Sequence, residues 1–243
     1  MSRACVRLAL GLCLILAAGT AGAQEMTIDL GEGGSLTARS IQLIVLITVL
    51  SIAPGLAIMV TCFPFLVTVL SILRTAIGLQ QSPPNMLIVS LALFLTYFIM
   101  EPVFQAAWVA GVEPMIDGTL PLEEAARAAI APFRVFMSGR VDPDTLATMA
   151  ALRPPGDGTV TQEVPLSVLV PSFMLSEIAR AFQIGFLVYL PFLIIDLVAA
   201  AVLMSMGMMM VPPAVISLPF KLAFFVIADG WSLIAGSLVR SYS

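Results

Sequence analysis

The chain has 243 residues, of which 60% are hydrophobic and 11% are charged, and its mean hydropathy is +1.06. A soluble domain has about 45–50% apolar and about 25% charged residues, so this composition indicates a membrane protein or one buried in an apolar assembly. The net charge of −4 argues against a nucleic-acid partner, and the absence of histidine removes Ser-His-Asp and Cys-His catalysis together with most zinc sites.

The sequence also lacks a Gly-rich phosphate loop, a metal-ligand spacing and a nucleophile elbow. We therefore predict a protein that is not an enzyme and that needs neither a metal nor a cofactor.

Residues 1–23 have the pattern of a secretory signal peptide. Two arginines begin the segment, Leu8–Ala18 forms its apolar middle, and Ala21–Ala23 is a small-residue cleavage site. The alternative is an uncleaved first helix. Residues 24–40 follow as a polar, Gly-rich lead-in that we expect to be exposed.

The first apolar run, residues 41–73, contains 33 residues without a charge, more than the roughly 20 that span hydrocarbon. Pro54 and Pro64 predict a kinked helix or two stacked helices. A second apolar run covers residues 86–112. We predict that residues 41–112 form a first helical hairpin.

A polar stretch separates this hairpin from the rest of the chain. Residues 113–164 hold eight acidic and four basic residues. Leu122–Met137 has the pattern of an amphipathic helix, and Asp142–Leu152 begins with a cap residue followed by proline. We predict that residues 113–165 form a small helical module that packs on copies of itself or on neighbours, because it is too short for a large core.

Two further apolar runs, Leu166–Met204 and Ala214–Val239, predict a second hairpin over residues 166–240, with prolines that should bend it. Its tip, residues 204–210, concentrates the methionines of the chain. The sequence has no strand-like alternation. The predicted fold class is an all-α membrane protein with two kinked helical hairpins flanking a small helical periplasmic insert.

The topology follows from the signal peptide, which places the module in the periplasm and the methionine tip on the cytoplasmic side. The positive-inside rule disagrees. Four arginines of the module would lie outside, whereas the inner loops offer little beyond Arg74. We follow the signal peptide, and the conflict indicates helices held within a protein assembly rather than surrounded by lipid.

The methionine tip is the first candidate site. It has five methionines in seven residues, against eight in the rest of the chain after the initiator. Methionine is flexible and polarizable, so such a tip can close a gap without a fixed shape. We predict a gate, and the alternative is a flexible apolar turn with no role. The tip residues are Met204, Met206, Met208, Met209 and Met210.

Isolated charges in the second hairpin form the other candidate site, because a charge in hydrocarbon is costly and is a functional candidate by default. They are Glu177, Arg180, Asp196, Lys221 and Asp229. Each of them is a candidate for an intramembrane charge or for an inter-subunit contact.

Several interpretations of these charges stay open at this point. Asp196 is a proton or ion site, or a carboxyl bonded to a neighbouring helix or subunit. Glu177 and Arg180 lie three residues apart and so share a helix face, which permits a local pair or a contact across a subunit boundary. Lys221 is an interfacial anchor or part of an inter-subunit ion pair, and Asp229 lies eight residues further on, on a similar face.

The run SEIARAFQIGF at Ser176–Phe186 resembles the signature of the FliP family, flagellar biosynthetic export-gate proteins with counterparts in virulence type III secretion. The resemblance covers essentially the whole chain after the signal segment. It continues through Ser82–Asn85, Pro191-Phe192, Ile195-Asp196, Leu203–Met210, Pro212-Pro213, Ile216–Lys221 and Asp229–Trp231.

This resemblance implies a pore-forming subunit of the flagellar export gate, in the bacterial inner membrane within the flagellar basal body. It implies a homo-oligomer of five copies in a ring or cone, the partner subunits FliQ and FliR, and unfolded flagellar export substrates. Met208, Met209 and Met210 would form a gasket, with Met204 and Met206 supporting it. The family often has serine, threonine and arginine where this chain has Thr61–Phe65, and this departure predicts a local bend.

Two alternatives of other classes remain at this stage. One is a proton-coupled secondary transporter using Asp196 and Glu177, although the sequence shows no inverted repeat to support it. The other is an assembly scaffold that nucleates partners and never conducts.

Overall fold

The computed structural model describes residues 36–79, 83–152, 164–208 and 210–242. The predicted signal peptide, most of the lead-in, Arg153 and Met209 lie outside these ranges. The chain divides into two compact units, and the first ends at Ser51 while the second covers Ile52–Ser243. Of the first unit the structure describes the beginning of one helix, and everything that follows concerns the second unit unless it is stated otherwise.

The all-α prediction is confirmed, since the described ranges contain helices and no strand. In chain order the helices are α1 (Leu36–Met59), α2 (Phe63–Ile77), α3 (Asn85–Ala107) with a π-helical turn (Trp108–Val112), α4 (Glu113–Ile116), α5 (Leu122–Arg140), α6 (Pro143–Ala151), α7 (Leu166–Ser205), α8 (Pro213–Ile227) and α9 (Gly230–Arg240).

The first apolar run forms two helices rather than one kinked helix. α1 continues through Pro54 and ends at Met59, and α2 begins at Phe63 with Pro64 in its first turn. Proline is tolerated there because first-turn N–H groups have no intrahelical acceptor. The two helices are separated by a break at residues 60–62, next to the segment where a local bend is predicted. α2 ends at Gly78, whose φ of 88° is the left-handed conformation that favours glycine.

α2 is the centre of the core and packs against α3, α7 and α8. Its buried residues are Phe65, Leu66, Val69, Leu70, Leu73, Ala76 and Ile77. Burying each Leu or Phe contributes about 1.5–3 kcal/mol. At Gly185 of α7 an added Cβ would lie 2.4 Å from Cδ1 of Ile72, so glycine at this position lets the two helices approach closely.

α5, the longer helix of the polar stretch, packs against α3 and α7 of the same chain. An added Cβ at Gly111, in the π-helical turn, would lie 2.4 Å from the carbonyl oxygen of Ala125. The Asp142 carboxylate caps the start of α6, as the sequence predicts. It accepts hydrogen bonds from the backbone N–H and the hydroxyl of Thr145. These two hydrogen bonds hold the pKa of the exposed Asp142 carboxyl below its usual value.

Three of the described helical segments are long and apolar enough to cross a membrane: Ser40–Met59, Asn85–Ile116 and Leu166–Ser205. A fourth span is possible if α8 and α9, which meet at a bend of 61°, count as one. α2 has 15 residues and is too short to cross alone. The exposed apolar side chains on these helices need lipid or neighbouring protein around them.

Candidate functional site: the methionine tip and two charge clusters

The methionine tip begins where α7 ends in a defined turn. The N–H of Met208 donates to the carbonyl of Leu203 at 3.0 Å, and the N–H of Gly207 donates to the carbonyl of Met204 at 3.1 Å. These are the two hydrogen bonds of a Schellman motif, and Gly207 takes the left-handed position with φ of 74°. α8 then begins at Pro213, so glycine and proline fix both ends of the tip.

The described methionines of the tip are exposed: Met204 by 63%, Met206 by 67%, Met208 by 41% and Met210 by 97%. They do not fill the core of this chain. Met206 and Met208 also line an apolar groove of about 500 Å³ between α7 and α8. The tip therefore offers an apolar, flexible surface to something outside the chain.

Asp196, Ser217 and Lys221 form the hairpin cluster at the base of this tip. Nζ of Lys221 lies 2.6 Å from Oδ2 of Asp196 and donates to the carbonyl of Ala76 at 3.0 Å. The Ser217 hydroxyl donates to Oδ1 of Asp196 at 2.6 Å. The cluster joins α2, α7 and α8. Because Lys221 is buried, removing its partner would leave an uncompensated charge.

The second group of charges is centred on Glu177, which is fully buried. The Glu177 cluster comprises Arg140, Glu177, Arg180 and Tyr242. Nε of Arg140 donates to Oε1 of Glu177 at 3.2 Å, and Nη1 of Arg180 lies 3.4 Å from the same oxygen. The Tyr242 hydroxyl donates to Oε2. Burial, reinforced by the charge of Glu177, raises the pKa of Tyr242, so the phenol keeps the proton that it donates.

These contacts differ in part from those that the spacing suggested. The local pair of Glu177 with Arg180 is present, but the closer cation is Arg140 of α5. Lys221 contacts Asp196, and Asp229 is exposed at the start of α9 with φ of 47°.

Arg140 and Tyr242 are two site residues that no pattern in the sequence assigns to a site. Each lies far from Glu177 along the chain, and helical spacing gives information only about residues three or four apart. The position of Arg140 in the last turn of an amphipathic helix is the one available signal, and it does not identify a partner.

The structure does not bring Asp196 and Glu177 together. They lie on the same helix, 19 residues apart, which corresponds to about 28 Å at 1.5 Å per residue. Each carboxylate has its own basic partner. A single proton site built from both groups is therefore incompatible with this geometry.

Within the described ranges, no group of three His, Cys, Asp or Glu side chains is arranged to hold a metal ion. Cys62 is a free, buried thiol. Burial raises the pKa of this thiol to about 12, which makes it a poor nucleophile at neutral pH.

The comparisons with known proteins agree with each other. The FliP family model matches residues 46–238. The chain is 53% identical over 230 residues to the Flagellar biosynthetic protein FliP of Caulobacter vibrioides, covering 95% of this chain and 86% of that protein.

A second relative, from Agrobacterium fabrum, is 46% identical over 98% of this chain and 100% of its own length. A third, from Bacillus subtilis, is 46% identical over 84% of this chain and 92% of its own length. Both carry the same name, Flagellar biosynthetic protein FliP. The chain belongs to the FliP family.

Proposed function

We propose that this protein is a pore-forming subunit of the flagellar type III protein export gate and that its methionine tip seals the channel. The observation that carries the proposal is the exposed methionine tip at the end of a hairpin whose base is fixed by buried charges. Family membership and the names of the relatives support the flagellar assignment.

The proposed mechanism is mechanical. Several copies point their tips at a common axis, where thioether side chains pack on one another and exclude ions. Methionine has three rotatable side-chain bonds, so the packed tips can rearrange around a passing unfolded chain of varied composition. No bond is made or broken, so the protein acts without catalysis, metal or cofactor.

The hairpin cluster fits a positioning role in this mechanism. Asp196 lies two helical turns before the tip, and Lys221 lies two turns after the start of α8. Their ion pair, together with the bond from Lys221 to Ala76, fixes the two arms of the hairpin to each other and to α2. A seal made by several copies needs each tip at the same position along the channel axis, and this ion pair would hold the tip there.

The proposed setting is the bacterial inner membrane, within the flagellar basal body. The partners are further copies of the chain, five in the ring, together with the gate subunits FliQ and FliR and the unfolded export substrates. Exposed apolar side chains along α3, α7 and α8 supply surface for such neighbours. The module of residues 113–165 would face the periplasm.

Replacing Met208, Met209 and Met210 with alanine tests the seal. We expect a rise in ion leak across the inner membrane while export of flagellar subunits persists, because a wider gate still passes a polypeptide. The measurement is membrane conductance in cells that carry the variant gate.

A matched control replaces three exposed methionines that lie outside the tip, Met59, Met86 and Met115. It should leave conductance at the wild-type level. Unchanged conductance in the tip variant would show that the methionines do not seal the pore.

A further inference from the structure

Two residues that follow α9, Ser241 and Tyr242, are half-buried and pack against the rest of the molecule instead of extending from the helix. The Tyr242 ring packs edge-on against Phe65 of α2, with ring centroids 5.4 Å apart. It also stacks on Phe136 of α5 at 6.1 Å, with 14° between the ring planes. Aromatic pairs in these arrangements contribute beyond the area that they bury.

The polar groups of the same two residues are also bonded. The carbonyl of Ser241 accepts a hydrogen bond from Nη1 of Arg140 at 2.7 Å. The guanidinium carbon of Arg140 lies 3.9 Å from the centroid of the Tyr242 ring, which is a cation–π contact. The Tyr242 hydroxyl donates to Glu177. Two residues thus contact α2, α5 and α7 at once.

Loss of the Tyr242 contact would leave buried polar atoms of the Glu177 cluster without partners. Glu177 is fully buried, and Oε2 receives its hydrogen bond from Tyr242. Within the described ranges, Nη2 of Arg140 is already buried without an acceptor. A buried polar group that loses its partner costs more than the bond itself contributes.

We propose that Ser241-Tyr242 is an intrachain latch that holds the C-terminal end of α5 on the long helix α7. With the latch in place, Arg140 is fixed between Glu177 and the Tyr242 ring. Without it, Arg140 loses its bond to Ser241 and its contact with the Tyr242 ring, which leaves its pair with Glu177 and the bond from the Asp142 N–H to the Ser176 hydroxyl to hold this end of α5. The backbone around Arg140 then opens more often.

The experiment is limited trypsin digestion of the full chain in detergent, followed by mass analysis of the fragments. Cleavage after Arg140 reports the opening, and cleavage after Arg74, which contacts Pro83 and Asn85 away from the cluster, is the internal reference. Tyr242→Phe keeps the ring and removes the hydroxyl. We expect it to raise the Arg140 to Arg74 cleavage ratio about tenfold, the effect of losing a hydrogen bond to a buried charge. Tyr242→Ala should raise it further.

The control is Tyr97→Phe, which removes the hydroxyl of an exposed tyrosine on α3 and should leave the ratio unchanged. A Tyr242→Phe ratio within twofold of both the wild type and this control would overturn the latch, whatever Tyr242→Ala does. The measurement needs no export and no assembled ring, so its result is independent of the proposed gate.

Discussion

At the scale of single residues, the chemistry of this chain consists of carboxylates held by cations inside an apolar molecule. Asp196 and Glu177 each have a basic partner and a hydroxyl donor. Such clusters fix geometry more than they add stability, because the charges lose hydration when they are buried. Their expected role is to hold helices in one arrangement.

Removing the negative charge at Asp196 tests this role. Asp196→Asn leaves the buried Lys221 ammonium without its counterion. We expect a loss of about 2–4 kcal/mol in unfolding free energy, less than the roughly 3–5 kcal/mol for a fully buried pair, because Asp196 is partly exposed. Thermal unfolding in detergent measures it. The double variant Asp196→Leu with Lys221→Met should recover most of the loss, since it removes both charges.

Asp229→Asn, the same change at an exposed carboxylate, is the control and should be neutral. If Asp196→Asn were as stable as the wild type and instead abolished a proton or solute flux, the secondary-transporter alternative would gain its first support. The present geometry, with the carboxylate paired to Lys221, predicts the opposite result.

At the scale of elements, the joint between α3 and α5 depends on a glycine in the π-helical turn. Gly111→Ala would place a methyl group 2.4 Å from the carbonyl oxygen of Ala125 and 2.7 Å from Cβ of Ala129. Backbone must move to relieve such contacts, so we expect a loss of about 1–3 kcal/mol in unfolding free energy.

Gly139→Ala is the matched comparison for thermal unfolding. Gly139 lies within α5, and an added Cβ there would meet nothing within 4 Å. Because alanine is the better helix former, this variant should be neutral or slightly more stable. Equal melting temperatures for the two variants would contradict the close packing of α3 on α5.

At the scale of the whole molecule, Cys62 reports on the integrity of the core. The thiol is fully buried at the start of α2, and burial raises its pKa to about 12. At pH 8 the folded chain therefore holds about one part in ten thousand as thiolate, against roughly a tenth for an ordinary pKa near 9.

We expect Cys62 to react with a maleimide only after the core opens. Peptide mapping after labelling at pH 8, with and without denaturant, measures this difference and assigns the label to Cys62. Labelling of Cys62 in the native protein at the rate of a free thiol would show that α2 is not the centre of a closed core.

The sequence predicted the elements well because their signals are local. Proline pairs, the Asp142 cap and the length of the apolar runs place helix ends from neighbouring residues alone. The side-chain contacts between helices could not be predicted, because they join segments that are distant in the sequence. Arg140 meets Glu177 across 37 residues, and Lys221 meets Ala76 across 145. The site residues were named, but most of their partners were not.

The helix α7 is too long to lie entirely within a lipid bilayer. With 40 residues, the helix measures about 60 Å, twice the roughly 30 Å of a hydrocarbon layer. Acyl chains can surround at most half of it. The other half must be covered by polypeptide, and α2, α5 and α6 of the same chain cover part of it. Apolar side chains of this part of α7 that the chain itself leaves exposed, such as Leu175 and Phe182, are therefore the positions at which we expect neighbouring protein to bind.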